Sequence, residues 1–257
     1  MRKHILFLAP LLAFFLGTLG IRGDQVASKP VSQEPAPFKV LIYSRTTAGR
    51  HDVIPAGIAA LEKMAPSGNF TVEKTENPEA FTDANLQKFA VIVFMNTTGD
   101  ILDETGKAVF QKFVESGGGF VGVHAATDTE HNWPWYGRTI GAYFINHPRI
   151  QPAYIDVVDG GHPATAHLPK RWKMVDEWYN FKNVQEDNHV LLNLDETSYE
   201  GGKNGKSHPA AWTRTAGKGR VFYTALGHRK EVFSDPDFII HLRNGILWAA
   251  GIKSAAE

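Results

Sequence analysis

The segment 117-GGGFVGVHAATDT-129 decides the reading of the fold. Its middle, Gly119 to Val123, is a short apolar run of the kind that forms a strand buried on both faces. The run ends abruptly at His124, and two small residues, Ala125 and Ala126, follow. Gly122 to Ala126 therefore reads G-x-H-x-A, the small–x–large–x–small pattern of a nucleophile elbow, in which small neighbours permit a sharp strand-to-helix turn. Such a turn pushes its central side chain into a cleft. Imidazole there is a poor lasting nucleophile, but a good metal ligand and a good general base near neutral pH. The alternative is a core histidine satisfied by a backbone carbonyl.

Working outward, "FKVLIYS" (Phe38–Ser44) and "AVIVFMN" (Ala90–Asn96) are also buried-type strands, and "FTVEKT" (Phe70–Thr75) alternates like another. Helices are predicted between them. One runs from Asp52, with Pro55 in its first turn and Ile58, Leu61 and Met64 at helical spacing. A second spans Asp103 to Ser116, with Phe110, Phe113 and Val114 as its inner stripe. From Arg149 onward the strand candidates are shorter and more polar: Ala153–Asp159, Val190–Asp195 and Ala210–Arg214. "GRVFYTAL" (Gly219–Leu226) returns to the buried type, and a last helix starts at Asp235. Alternating strands and helices predict a three-layer α/β fold, a mostly parallel sheet with helices on both faces, plus an inserted aromatic-rich region.

Composition bounds the function. Met1 to His4 is a basic n-region and Ile5 to Gly20 an apolar h-region broken by Pro10, so residues 1–27 read as a secretory signal and the protein as exported, periplasmic or extracellular. An uncleaved membrane anchor is the alternative, and only then is a membrane a partner. Residues 28–37, with three prolines, read as a tether, and residues 38–252 as a single domain. Lys plus Arg and Asp plus Glu balance at 27 each, so no global field favours nucleic acid. The chain has no cysteine, which excludes lipid acylation at a thiol, disulfides, thiolate metal sites and a cysteine nucleophile.

In open parallel sheets, ligands bind at the carboxyl ends of the strands. Just past the buried strands stand Arg50, His51 and Asp52; then Asn96; then His124 and Asp128; then His228 with Glu231. Four loops thus offer polar groups at one sheet edge. Asp52 is equally suited to cap the first helix, which leaves His51 and Asp52 as either site or cap residues.

"GGGFVGVHAATDT", "WYGRTIGAYFINHP", "HPA", "DEWYNF", "HPAAWTR" and "GRVFYTALGH", in this order, resemble the ThuA-like family, named for trehalose utilisation. The resemblance covers Phe38 to Ala250 and implies a fold similar to class I glutamine amidotransferases, with His124 where those enzymes carry cysteine. It also implies a role in bacterial sugar catabolism, alongside enzymes that make 3-keto sugars, and no amidotransferase chemistry.

The remaining motifs extend the candidate site. His147 in "INHP" can join His124 and His228 as a third ligand of a divalent metal such as zinc, or cap a turn. In "DEWYNF" strand alternation sends Asp176 and Glu177 to opposite faces, and Glu177 is the one expected in the cleft, with Tyr179 nearby. Trp133, Trp135 and Tyr136 are candidates for stacking on a pyranose ring, with a hydrophobic core as the alternative. "GGKNGK" lacks phosphate-loop spacing and reads as a flexible hairpin tip, and no nucleotide cofactor is expected. The leading expectation is an enzyme acting on a small-molecule carbohydrate or 3-keto-glycoside. In it His124, His228, Glu177 and Asp128 are catalytic, and Arg50, His51, Asp52, Asn96, Tyr179 and the aromatic segment bind substrate. The alternatives are a non-catalytic sugar-binding module and an interaction domain.

Overall fold

The structure is a computed structural model that describes residues 36–252. The signal reading and most of the tether lie outside the described residues. In chain order the first half contains β1 (Phe38–Tyr43), α1 (Ile54–Met64), β2 (Phe70–Thr75), α2 (Asp83–Leu86), β3 (Val91–Met95), α3 (Glu104–Glu115), β4 (Gly119–Val123) and α4 (Pro134–Ile140). The second half contains β5 (Tyr143–Asn146), β6 (Gln151–Val157), β7 (Arg171–Asp176), β8 (Asn180–Lys182), β9 (His189–Leu194), β10 (Pro209–Ala216), β11 (Gly219–Thr224) and α5 (Pro236–Ala249).

Nine strands form one sheet in the order β2-β1-β3-β4-β11-β10-β9-β6-β7. The five from β2 to β11 are mutually parallel and carry the fold. The short polar strands predicted after Arg149 continue the sheet as an antiparallel wing. β5 and β8 make a separate two-stranded ribbon.

The alternation along β1 shows why both faces of the parallel half are covered. Val40 and Ile42 pack with Leu61 and Met64 of α1 and Phe238, Leu242 and Ile246 of α5. Leu41 and Tyr43 point the other way, onto Phe110 and Val114 of α3 and Tyr136 and Ile140 of α4. The result is the three-layer α/β arrangement expected from the buried strand runs.

Two predicted helix starts hold: the Asp103 and Asp235 side chains accept from the Gly106 and Phe238 N–H groups. The first does not. α1 begins at Ile54, its N-cap is Val53, and no side chain caps it. Asp52 stands one residue too early to reach the first turn and pairs with Lys230 at 3.2 Å instead.

Candidate functional site

The elbow reading of Gly122 to Ala126 has a steric basis in the structure. A Cβ on Gly122 would lie 2.5 Å from Ile140 Cδ1 and 3.2 Å from the Ala126 Cβ. His124 takes φ +47°, a left-handed conformation that non-glycine residues rarely adopt and that clusters at functional sites. Asn96, at the end of β3, shares this conformation at φ +53° and braces the turn. Its Oδ1 accepts from the Ala125 N–H, and its Nδ2 donates to the Gly227 carbonyl. Asn96 is thus a fully buried brace, and it does not line the cleft as a substrate-binding residue.

Three parallel strands each deliver a histidine to this edge: β1 leads to His51, β4 to His124 and β11 to His228. The fourth group, Glu177, arrives from the end of β7 in the antiparallel wing. One ligand atom of each of the four lies within 4.8 Å of the others. Asp176 fixes the junction, because its fully buried carboxylate accepts from the backbone N–H groups of Gly227, His228 and Arg229. Burial pushes this carboxyl above its ordinary value, opposed by His124 and by the Gly227 N–H. Asp176 and Glu177 do point to different partners, as strand alternation requires.

His124 is fully buried, and its Nδ1 lies 2.7 Å from the Ala225 carbonyl oxygen. A carbonyl can only accept, so Nδ1 carries a proton and Nε2 is the nitrogen left to face the cluster. That Nε2 is 3.3 Å from Glu177 Oε2 and 3.3 Å from His228 Nδ1, and the remaining side, His228 Nδ1 to Glu177 Oε2, is 3.1 Å. These edges match one face of a tetrahedron about an ion with bonds of about 2.0–2.1 Å, whose edges are about 3.3 Å. Two imidazole nitrogens and a carboxylate oxygen this close require positive charge among them, whether a shared proton or a cation.

His51 closes the cluster edge-on to both other imidazoles, with ring centroids 5.2 Å from His124 and 5.1 Å from His228. Its Nδ1 is buried with no hydrogen-bond partner, and its Nε2 lies 3.4 Å from the Tyr179 hydroxyl. Burial, reinforced by His124 and His228, lowers its pKa to about 4. His51 is therefore an uncharged donor at neutral pH. For His228, burial acts downward but the bond and charge of Glu177 prevail, and its pKa is raised. Burial pushes Glu177 upward, yet His124 and His228 hold it well below the usual carboxylate range. Three imidazole nitrogens and one carboxylate oxygen, with an orphaned buried nitrogen among them, are a donor set that fits a divalent transition metal.

His51, Glu177 and His228 line the floor of a cavity of about 400 Å³, with His124 buried behind them, and its walls include Arg50, Asp52, Thr98, Asp128, Phe144, His147 and Tyr179. His147 lies at its mouth, 3.1 Å from Glu177 Oε1, on the carboxylate oxygen opposite the cluster. Among the four converging donors its expected place is taken by His51. Arg50 lines the cavity while paired to Glu76 at 2.7 Å. Glu231 is exposed and paired with Arg229, outside the cluster.

The aromatic segment is also placed differently from the expectation. Tyr136 is fully buried and donates to the Ala126 carbonyl. Trp133 and Trp135 pack on Phe110 of α3, and Trp135 donates to Glu115. Tyr136 is a core residue, Trp133 and Trp135 are half-buried against α3, and none of the three lines the cavity. The cavity's aromatic wall is Phe144 with Tyr179, ring centroids 4.1 Å apart. Phe144 was missed, and its one signal was a position three residues before His147 on a short alternating segment.

Fold and site together define an amidotransferase-like α/β protein with imidazole at the elbow and a His/Glu cluster beneath the cleft. The chain belongs to the ThuA family, described as trehalose utilisation, whose profile matches residues 39–249. Among solved structures it is similar to a ThuA-like protein from Bacteroides uniformis ATCC 8492, at 26% identity and TM-score 0.73, over 86% of this chain and 95% of that one. It is also similar to one from Parabacteroides merdae ATCC 43184, at 21% identity and TM-score 0.71, over 86% and 92%. A cytoplasmic protein from Salmonella typhimurium LT2 shares the fold at 12% identity and TM-score 0.61, over 82% and 99%. No curated protein matches the chain. Family membership points to a role in sugar utilisation.

Proposed function

We propose that the protein is an exported enzyme of carbohydrate catabolism, acting on a sugar or 3-keto-glycoside as an isomerase, lyase or hydrolase. His51, His124, His228 and Glu177 hold a divalent metal such as zinc at the cavity floor. The observation that carries this reading is the triangle of His124 Nε2, His228 Nδ1 and Glu177 Oε2, with sides of 3.1–3.3 Å. A bound divalent ion supplies Lewis acidity toward a carbonyl oxygen.

The chain's own groups do the rest. Ala225 fixes the His124 tautomer, and His147 holds the outer oxygen of Glu177, so the donors are oriented before any ion arrives. Phe144, packed over Tyr179, offers a face for a pyranose ring, and Thr98 and Arg50 can bond its hydroxyls. A basic n-region before an apolar stretch supports export.

Plasma mass spectrometry of the tag-free protein, beside His51→Ala, His124→Ala and His228→Ala, tests the centre. About one ion per chain, lost in each variant, is expected. No metal after supplementation and dialysis would overturn it. Turnover of 3-keto-glycosides separates the enzyme from a sugar-binding module, which would bind saturably without converting its ligand.

A further inference from the structure

With four donor atoms committed to the centre, none of the cluster side chains is left to move a substrate proton. The other ionisable groups on the cavity wall are mostly engaged too. Arg50 is tied to Glu76, Asp52 to Lys230, and His147 to Glu177. Asp128 differs. Its partner is His131, whose Nε2 lies 2.8 Å from Asp128 Oδ1, with the two side chains 32% and 33% exposed. This carboxylate therefore reaches both the cavity and solvent without a permanent cation upon it.

The loop that carries the pair is tightly held. On the Asp128 side, the Gly99 N–H donates to the Asp128 carbonyl, and the Glu130 N–H donates back to Gly99. Thr129 is buried and bonds to the Thr97 carbonyl. Glu130 sits at φ +51°, and its fully buried carboxylate accepts from the Ile101 and Leu102 N–H groups and pairs with Lys107. That left-handed residue folds the chain back and brings His131 against Asp128. The His131 ring stacks on Tyr143, at 4.7 Å between centroids and 23° between planes. The Tyr143 hydroxyl is within hydrogen-bonding distance of the Glu130 and Trp133 carbonyls. Strain held by buried partners at a cleft marks a position built for a task.

We propose that Asp128 is the general base of the cavity and that His131 is its positioning residue. The proposal rests on the functional reading above and deepens it. On a 3-keto sugar ring, the C–H bond next to the ketone breaks and its proton passes to a carboxylate oxygen of Asp128. The electron pair becomes the new carbon–carbon double bond as the carbonyl electrons move to oxygen. Return of the proton to either face, or departure of the group on the next carbon, completes the step. His131 Nε2–H keeps the carboxylate turned to the cavity throughout.

The test is solvent exchange, read by proton NMR in deuterium oxide, with the 3-keto derivative of methyl glucoside and the metal-supplemented protein. The native chain is expected to catalyse loss of the signal of the proton beside the ketone. Asp128→Asn is nearly isosteric and is expected to lower that rate about 100-fold or more, with melting temperature and metal content unchanged. His131→Phe keeps the stack but loses the donor and is expected to lower the rate about tenfold. His131→Gln restores a donor and is expected to recover most of the loss. Native exchange rates in Asp128→Asn would overturn the proposal, as would equal rates in His131→Phe and His131→Gln. Absence of exchange with the native protein would overturn it as well. Metal content and saturable binding of the same keto sugar, measured on the same samples, decide separately whether the underlying functional reading fails.

Discussion

The two halves of the large sheet contribute differently to the site. The parallel half supplies three histidines from the carboxyl ends of β1, β4 and β11, where buried strands, a left-handed His124 and the Asn96 brace leave little freedom. The antiparallel wing and its two-stranded ribbon supply Glu177, His147, Tyr179 and Phe144: the counter-charge and the wall. A rigid half thus fixes the nitrogens, and a second, more exposed half sets what can approach them.

That contrast can be broken hardest at Asp176. Asp176→Ala leaves the backbone N–H groups of Gly227, His228 and Arg229, one buried and two half-buried, without their acceptor. A loss of roughly 4 kcal/mol in urea denaturation is expected, since each unmatched buried donor costs about 1–3 kcal/mol. Asp176→Asn retains one acceptor oxygen and should lose less.

The next largest effect is a pH dependence on the face of the parallel half covered by α5. His241 is fully buried, its Nδ1–H donates to the Ala164 carbonyl, and its Nε2 accepts from Thr224. Burial lowers its pKa to about 4. The unfolded chain binds this proton near pH 6.5 and the folded chain does not. Stability from this group is therefore complete above about pH 6.5 and is lost as pH falls toward 4. The loss amounts to about 3 kcal/mol at 1.36 kcal/mol per unit. His241→Phe should flatten that part of the denaturation-against-pH curve. An unchanged slope would show that other groups cause the acid loss.

Trp135→Ala sharpens the division between core and wall. A loss of about 2 kcal/mol in stability is expected from the emptied contact with Phe110, with sugar binding intact. Weaker binding without loss of stability would return Trp135 to the cleft. The smallest effect belongs to His147→Ala, which removes a partner of Glu177 and not a donor of the cluster. Isothermal titration with zinc should show about tenfold weaker binding, the lower end of what supporting shells contribute. A complete loss of binding would make His147 a ligand after all.

The same division explains what could be read from sequence. The parallel strands announce themselves through local apolar runs, and His124 stands out because its small neighbours are local too. The three histidines after β1, β4 and β11 follow from the rule that ligands gather at strand ends. The ribbon that walls the cavity is assembled by long-range pairings such as Tyr143 with Lys182, which no short pattern encodes. Phe144 was missed for that reason, and His147 was placed among the donors when it stands behind one. The tryptophans misled by type: indoles suit sugars, but Phe110 on α3 lies opposite theirs. His51 and Asp52 could not be separated, because the choice turned on whether α1 started at Asp52 or two residues later.

Asp176 and Glu177 are consecutive residues, one tied to the backbone that carries His228, the other to the imidazoles themselves. A single peptide unit therefore sets the span between anchor and donor. Sliding β7 by one residue would exchange its two faces, turning the anchor outward and pulling the donor away from the imidazoles. The wing can vary in its outer strands and loops, but at this one step its alignment with the rest of the sheet is all or nothing.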